Sequence, residues 1–108
     1  MTVKELAASC ELGVLCHADG ERNVNGAYVG DLLSWVMGRA NENNAWITIM
    51  SNLNIIAVAS LADPSCIILS EGVTVDDAVR ARAEAQGVNL LSSELDTFAL
   101  CATIAKEL

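Results

Sequence analysis

Apolar positions along the chain change period several times, and each change marks an element. Val3, Leu6, Ala7 and Cys10 recur at the three- and four-residue intervals that place side chains on one face of a helix, with Thr2 and Glu5 in capping-box spacing ahead of them. Gly13 closes that run. Val14 to Cys16 then reads as a short strand, Ala18-Asp19-Gly20 as a turn and Val24 to Val29 as a second extended stretch. Asp31 stands where it would cap a helix through Leu32, Leu33, Trp35, Val36 and Met37, which Asn41, Asn43 and Asn44 bring to an end. Trp46 to Met50 is rich in β-branched residues and predicts a strand. Asn54 to Ser60 is apolar but rich in Ala, which favours a buried helix capped by Ser51 or Asn52; a buried strand at Ile55 to Ala59 fits the same short run.

Asp63-Pro64 ends this segment, Cys66 to Leu69 is a buried strand, and Ser70-Glu71-Gly72 turns the chain toward Thr74. Thr74 is expected to cap a helix from Val75 to Gln86, with Asp76 and Asp77 at its positive end and Gly87 as its stop. Val88 to Leu91 is the last strand. Ser92 or Ser93 would cap a closing helix in which Leu95, Phe98, Ala99, Ala102 and Ala105 share one face. Strands alternating with helices at this spacing predict an α/β fold, with a mostly parallel sheet of about four to five strands joined by right-handed crossovers and flanked by helices. Residues 1–108 are expected to form one small domain, since a chain of this size buries roughly 65% of the surface its unfolded form exposes.

Composition narrows what such a domain does. Hydrophobic residues make up 53% and aromatic residues only 4%, so Ala, Val, Leu and Ile must fill the interior. Fourteen acidic residues against six basic ones leave a net charge of −8, and the longest basic grouping is Arg80 with Arg82. A polyanion would be repelled at long range, which argues against nucleic acid and against an anionic membrane. One phosphate group on a helix N-terminus is still compatible with that charge. The start of the chain has no basic segment leading into an apolar signal core, and no apolar run approaches a membrane span, so the expected location is the cytoplasm.

The chemistry-bearing residues do not assemble into a recognisable catalytic or metal motif. Cys10, Cys16, Cys66 and Cys101 include no C-x-x-C pair and each sits in an apolar run, as buried reduced thiols do. His17 is the sole histidine; it follows Cys16 directly, and successive strand residues point to opposite faces, so a thiol–imidazole dyad would need a bulge between them. One imidazole without a thiol pair is also too few ligands for a transition metal, and no phosphate-loop or dinucleotide fingerprint occurs. Asp19, Glu21 and Asp31 flank the turn region as solvated carboxylates. Trp35 and Trp46 are expected to pack, or to mark a patch for a partner.

In a parallel sheet, ligands gather beyond the carboxyl ends of the strands. The loops expected there offer Ser51, Asn52 and Asn54, then Ser70, Gly72 and Thr74, then Ser92 and Ser93, whose hydroxyls, amides and backbone N–H groups suit a small polar or anionic ligand. The same residue types are also what helix capping selects.

The order Gly26-Ala-Tyr-Val-Gly-Asp-Leu-Leu-Ser34, then Asp63-Pro-Ser-Cys-Ile-Ile-Leu-Ser-Glu-Gly72, then Leu90-Leu-Ser-Ser-Glu-Leu-Asp-Thr-Phe98 resembles the DRTGG domain family across nearly the whole chain. The most specific parts are Asp96-Thr97-Phe98 and the strand that ends in Gly72. The family is similar to the N-terminal domain of HPr kinase/phosphorylase, and its members sit beside CBS domains in some pyrophosphatases. This resemblance implies a non-catalytic regulatory or interaction module, homodimeric, that associates with a larger metabolic enzyme or signalling protein and needs no cofactor. The alternative it carries is a sensor for an adenine nucleotide or related metabolite. Two departures bear on that alternative: Ser51-Asn52 stands where the family often has Asp-Arg, and Ser70-Glu71-Gly72 replaces Thr-Gly-Gly. Losing an arginine and gaining a carboxylate weakens an anion site.

Overall fold

A right-handed crossover between neighbouring parallel strands places its helix on a face set by the direction in which the sheet grows. The computed structural model, which describes residues 1–108, applies this rule three times in the same direction. The elements are α1 (Val3–Ser9), β1 (Gly13–Cys16), β2 (Ala27–Val29), α2 (Leu33–Arg39), β3 (Ala45–Thr48), α3 (Asn54–Ala62), β4 (Cys66–Leu69), α4 (Asp77–Gln86), β5 (Leu90–Ser92) and α5 (Thr97–Ala105). The sheet order is β1-β5-β4-β3-β2; β2 to β5 are parallel, and β1 joins β5 antiparallel. Because β2 to β5 advance steadily across the sheet, α2, α3 and α4 all fall on one face.

Helices α1 and α5 cover the other face, and the two cores follow strand alternation. Ala45, Ile47, Cys66, Ile68 and Leu91 pack with Val3, Leu6, Leu100 and Ile104, whereas Trp46, Ile67, Leu69 and Leu90 pack with Val36, Ile55, Val58 and Val79. Strands β3 and β4 are buried at every position, as central strands covered on both sides must be. Aliphatic side chains fill both layers, with Trp46 the one large ring inside; its Nε1–H donates to the Gly30 carbonyl at 2.9 Å.

The capping box is present at α1, where Glu5 N–H donates to Thr2 Oγ1 and Thr2 N–H to Glu5 Oε1. Four other expected caps are corrected. Neither Ser51 nor Asn52 is the N-cap of α3; Leu53 stands there with no side-chain cap hydrogen bond, because the loop after β3 runs one residue further before the helix begins. Asp31 does not cap α2; its carboxylate reaches the end of β3 and accepts from Thr48 Oγ1 at 2.7 Å and from Ile49 N–H at 3.0 Å. Thr74 stands too early: Asp76 caps α4 by accepting from Val79 N–H, because the loop runs on for two residues before the helix begins. At α5 the cap is Asp96, which accepts from Ala99 N–H at 2.8 Å, and not Ser92 or Ser93. Residues 55–59 are helical, and the stretch from Val24 forms a strand only at Ala27–Val29. Gly87 ends α4 at φ 68°, the left-handed conformation that glycine adopts without penalty.

The face of α5 is also corrected. Leu100 and Ile104 turn to the sheet, while Leu95, Phe98, Ala102 and Ala105 are exposed. The helix is apolar on both sides, so periodicity alone could not say which side the sheet would take.

Candidate functional site

Since β3, β4 and β5 run parallel, the loops that follow them share one rim of the sheet. Ser51, Asn52 and Asn54 lie after β3, Ser70, Gly72 and Thr74 after β4, and Ser92 and Ser93 at the end of β5. The chain leaves β4 for the α4 face but leaves β5 for the α5 face. Two neighbouring loops that part in this way open a crevice between them, the place where such sheets receive ligands.

Here the chain's own groups close that crevice. Gly72 N–H donates to the Ser93 carbonyl at 2.9 Å, Glu71 N–H to the Leu95 carbonyl at 2.8 Å, and Ser93 N–H to the Leu69 carbonyl at 2.8 Å. Glu71 folds its carboxylate over the start of α5, where Oε2 accepts from Thr97 N–H at 2.7 Å and from Thr97 Oγ1 at 3.2 Å. Ser70 Oγ, fully buried, lies 2.6 Å from Thr97 Oγ1. The one proton of Thr97 is directed at Glu71, so Ser70 is the donor in that pair, and the order is Ser70 to Thr97 to Glu71. A carboxylate therefore occupies the positive end of the α5 dipole. Glu71 holds this position at φ 64° and Gly72 follows at φ 68°, where a Cβ would lie 2.7 Å from Glu94 Oε2.

Of the eight rim residues read from the sequence, the structure joins Ser70, Gly72 and Ser93 in this network. Ser93 Oγ also accepts from Leu95 N–H. Ser92 is half-buried, and its Oγ would lie 2.7 Å from a Cβ at Gly13. Thr74 is exposed. Asn52 Oδ1 accepts from Asn54 N–H at 2.9 Å, so the β3–α3 loop closes on itself and makes no hydrogen bond to the other two loops. The network's central member, Thr97, lies outside the eight rim residues, although it belongs to the Asp96-Thr97-Phe98 stretch. An Asp-Thr pair opening an apolar helix is the signal that marks it.

The remaining reactive groups lie apart. Asp31 is at the end of β3, while Asp19 is held at the opposite rim, where its carbonyl accepts from Asn89 Nδ2 ahead of β5. A bulge at Leu15 does interrupt β1, yet Cys16 is buried and His17 exposed, so no dyad forms. All four cysteines are free. Burial pushes the Cys66 thiol up to about 12, and it raises Cys10, Cys16 and Cys101 as well, so none is a ready thiolate. No group of three or more His, Cys, Asp or Glu side chains is arranged to hold a metal ion.

The cavities lie away from the rim. One of about 200 Å³ is at the opposite edge, where the Arg22 guanidinium bonds Asn43 Oδ1, the Asp63 carbonyl and the Asp63 carboxylate at 2.8 to 2.9 Å. A second, apolar cleft of about 370 Å³ lies between α5 and the β2–β3 edge, and a third of about 300 Å³ lies between α3 and α4 beside Leu61 and Arg82. Trp35 is half exposed, with the Arg39 guanidinium 3.6 Å above its ring. No helix is long and apolar enough to cross a membrane.

Comparison with known proteins agrees with this architecture. The family model of the DRTGG domain matches residues 5–106. Among solved structures, the CBS and DRTGG domains of the regulatory region of Clostridium perfringens pyrophosphatase, complexed with the activator diadenosine tetraphosphate, superpose with a TM-score of 0.73 at 14% identity. The match covers 99% of this chain and 47% of that one, so the chain spans about half the length of its structural neighbour. At that identity the likeness shows the fold. No curated protein matches the sequence.

Proposed function

The chain belongs to the DRTGG domain family, and from that premise we propose that it is a non-catalytic regulatory module, homodimeric, that associates with a larger metabolic enzyme or signalling protein. The observation that carries this reading is the amount of apolar side chain left uncovered on the outer faces of helices. Phe98 is 85% exposed, Leu61 71% and Trp35 51%, in a chain with only four aromatic residues. Large apolar groups standing in water are a feature of surfaces that bind other proteins. At the rim, by contrast, the loops after β4 and β5 are bonded to one another through Ser70, Glu71, Gly72, Ser93 and Thr97. Residues 1–108 act in this reading as one unit, and the free thiols suit a reducing compartment, the cytoplasm. Light scattering at micromolar concentration is expected to give a dimer, and a strict monomer that co-purifies with nothing overturns the reading.

A second reading is favoured by the Clostridium perfringens neighbour, whose regulatory region is complexed with diadenosine tetraphosphate. In it this chain senses an adenine nucleotide or related metabolite through Ser51, Asn52, Asn54, Ser70, Gly72, Thr74, Ser92 and Ser93. Glu71 opposes it, because a phosphate would have to displace a carboxylate from the start of α5. A thermal-shift series separates the two readings: ligand at 100 times its Kd adds about 2.7 kcal/mol of stability. Absence of any shift with millimolar nucleotide retires the sensor.

A further inference from the structure

We propose that the outer face of α5 and the cleft beside it form the interface with a second copy of this chain, with Phe98 of each copy seated in the cleft of the other. The inference rests on the homodimeric reading above and assigns it a surface. Helix α5 has no charged residue between Thr97 and Ala105. Leu100 and Ile104 are buried against the sheet, while Leu95, Phe98, Ala102 and Ala105 face outward, and a helix that is apolar all round is one that is covered all round.

The surface has both a knob and a hole. Phe98 projects from the first turn of α5. The apolar cleft of about 370 Å³ begins near Cys101 and continues over Ala105 and Leu108 to Ala27, Val29 and Ile47 on the sheet. Phe98 and Ala105 are seven residues apart, about 10 Å along the helix and nearly in line on its surface. Phe98 therefore cannot fill the cleft of its own chain. A two-fold axis passing near Ala102 and normal to α5 brings two α5 helices together antiparallel, and each Phe98 then meets the other copy's cleft. Such an arrangement is isologous and closed, so it stops at two copies. The small side chains of Cys101, Ala102 and Ala105 permit close approach of the two helices.

Charge favours a second copy as the occupant. The chain carries a net charge of −8, so most pairings of two copies oppose carboxylates. This face does not: besides α5, the segment from Asn23 to Gly30 that forms the cleft's far wall is uncharged.

The test uses the full chain and sedimentation equilibrium. Phe98 is exposed, so F98E should leave the circular dichroism spectrum and Tm of the monomer unchanged while weakening dimerisation by about 30-fold or more, the loss expected when a central aromatic anchor is removed. A105K, which places a cation in the cleft, should weaken it likewise. The double variant F98E/A105K should dimerise more tightly than either single variant, because the antiparallel arrangement brings each carboxylate beside the other copy's ammonium. A dimer indifferent to F98E overturns this surface and leaves the homodimeric reading intact. A wild-type monomer overturns both.

Discussion

Asn89 has no hydrogen-bonding position left free. Its Oδ1 accepts from Ala18 N–H at 2.9 Å and Asp19 N–H at 2.8 Å, and its Nδ2 donates to the carbonyls of Asp19 at 2.8 Å and Ser65 at 3.0 Å. One buried amide thereby joins the turn after β1 to the starts of β4 and β5. Asn89→Ala takes the partner from three backbone groups, the N–H groups of Ala18 and Asp19 and the Ser65 carbonyl, while the Asp19 carbonyl keeps Arg22 N–H at 3.4 Å; the expected loss is about 3 kcal/mol by urea denaturation, since each abandoned partner costs on the order of 1 kcal/mol. A loss below about 1 kcal/mol would mean that water enters and replaces the side chain. Cys66, the first residue of β4, is wholly buried. Burial is the main cause of its raised pKa, partly offset by the Ser65 hydroxyl and Arg22. A thiol that holds its proton more firmly when folded contributes stability below its unfolded pKa, and that contribution is lost as pH rises from about 9 toward 12. Cys66→Ala removes this titration. The difference in stability between the wild type and Cys66→Ala should therefore shrink steadily above pH 9, and a constant difference would show that the thiol stays protonated in both states or ionises equally in both.

Helix α5 shows how two opposed local effects are separated by experiment. Glu71 stabilises the helix start through Thr97, yet it does so from φ 64°, a left-handed conformation that costs a residue with a Cβ about 1 kcal/mol. Glu71→Ala keeps that cost and loses the carboxylate, so it should destabilise by about 1 kcal/mol, the usual value of a lost cap. Glu71→Gly loses the carboxylate and also the strain, so it should be close to neutral. Equal destabilisation by both variants would contradict the argument. The same helix shows what was legible in the sequence. The element was, because Thr97 to Ala105 is too apolar to be a loop. Its cap and its buried face were not: Ser92, Ser93 and Asp96 are all good capping residues, and the choice among them depends on where β5 stops. The eight-residue rim was legible only as a set of loops on one side of the sheet, which follows from parallel pairing alone. That Glu71 would reach across to Thr97 depends on the loops after β4 and β5 departing to opposite faces, and nothing in the period of either segment encodes it. Asn89 was likewise invisible, since its four partners lie 24 to 71 residues away in sequence.

At the scale of the molecule, attraction between charges is scarce. Arg22 with Asp63 is the one ion pair, against a net charge of −8. The molecule measures 30 × 27 × 26 Å. At about 10 mM salt the Debye length is about 30 Å, so every carboxylate feels every other; at about 100 mM it is about 10 Å and repulsion is confined to near neighbours. The compact state therefore gains more from screening than the expanded one, whose charges are already far apart. Tm should rise as sodium chloride goes from about 10 to about 150 mM, and if screening is worth about 1 kcal/mol the rise is about 4–8 °C for a domain near this size. The protein must be held below its dimer dissociation constant during this measurement, because salt also lets two acidic copies approach and would raise Tm through association. Running the F98E variant in parallel separates the contributions: a rise common to both proteins belongs to the single chain, and any excess in the wild type belongs to the dimer. A Tm that falls with salt in both would mean that the six cations are placed so well among the fourteen acids that attraction outweighs repulsion, against what one ion pair suggests.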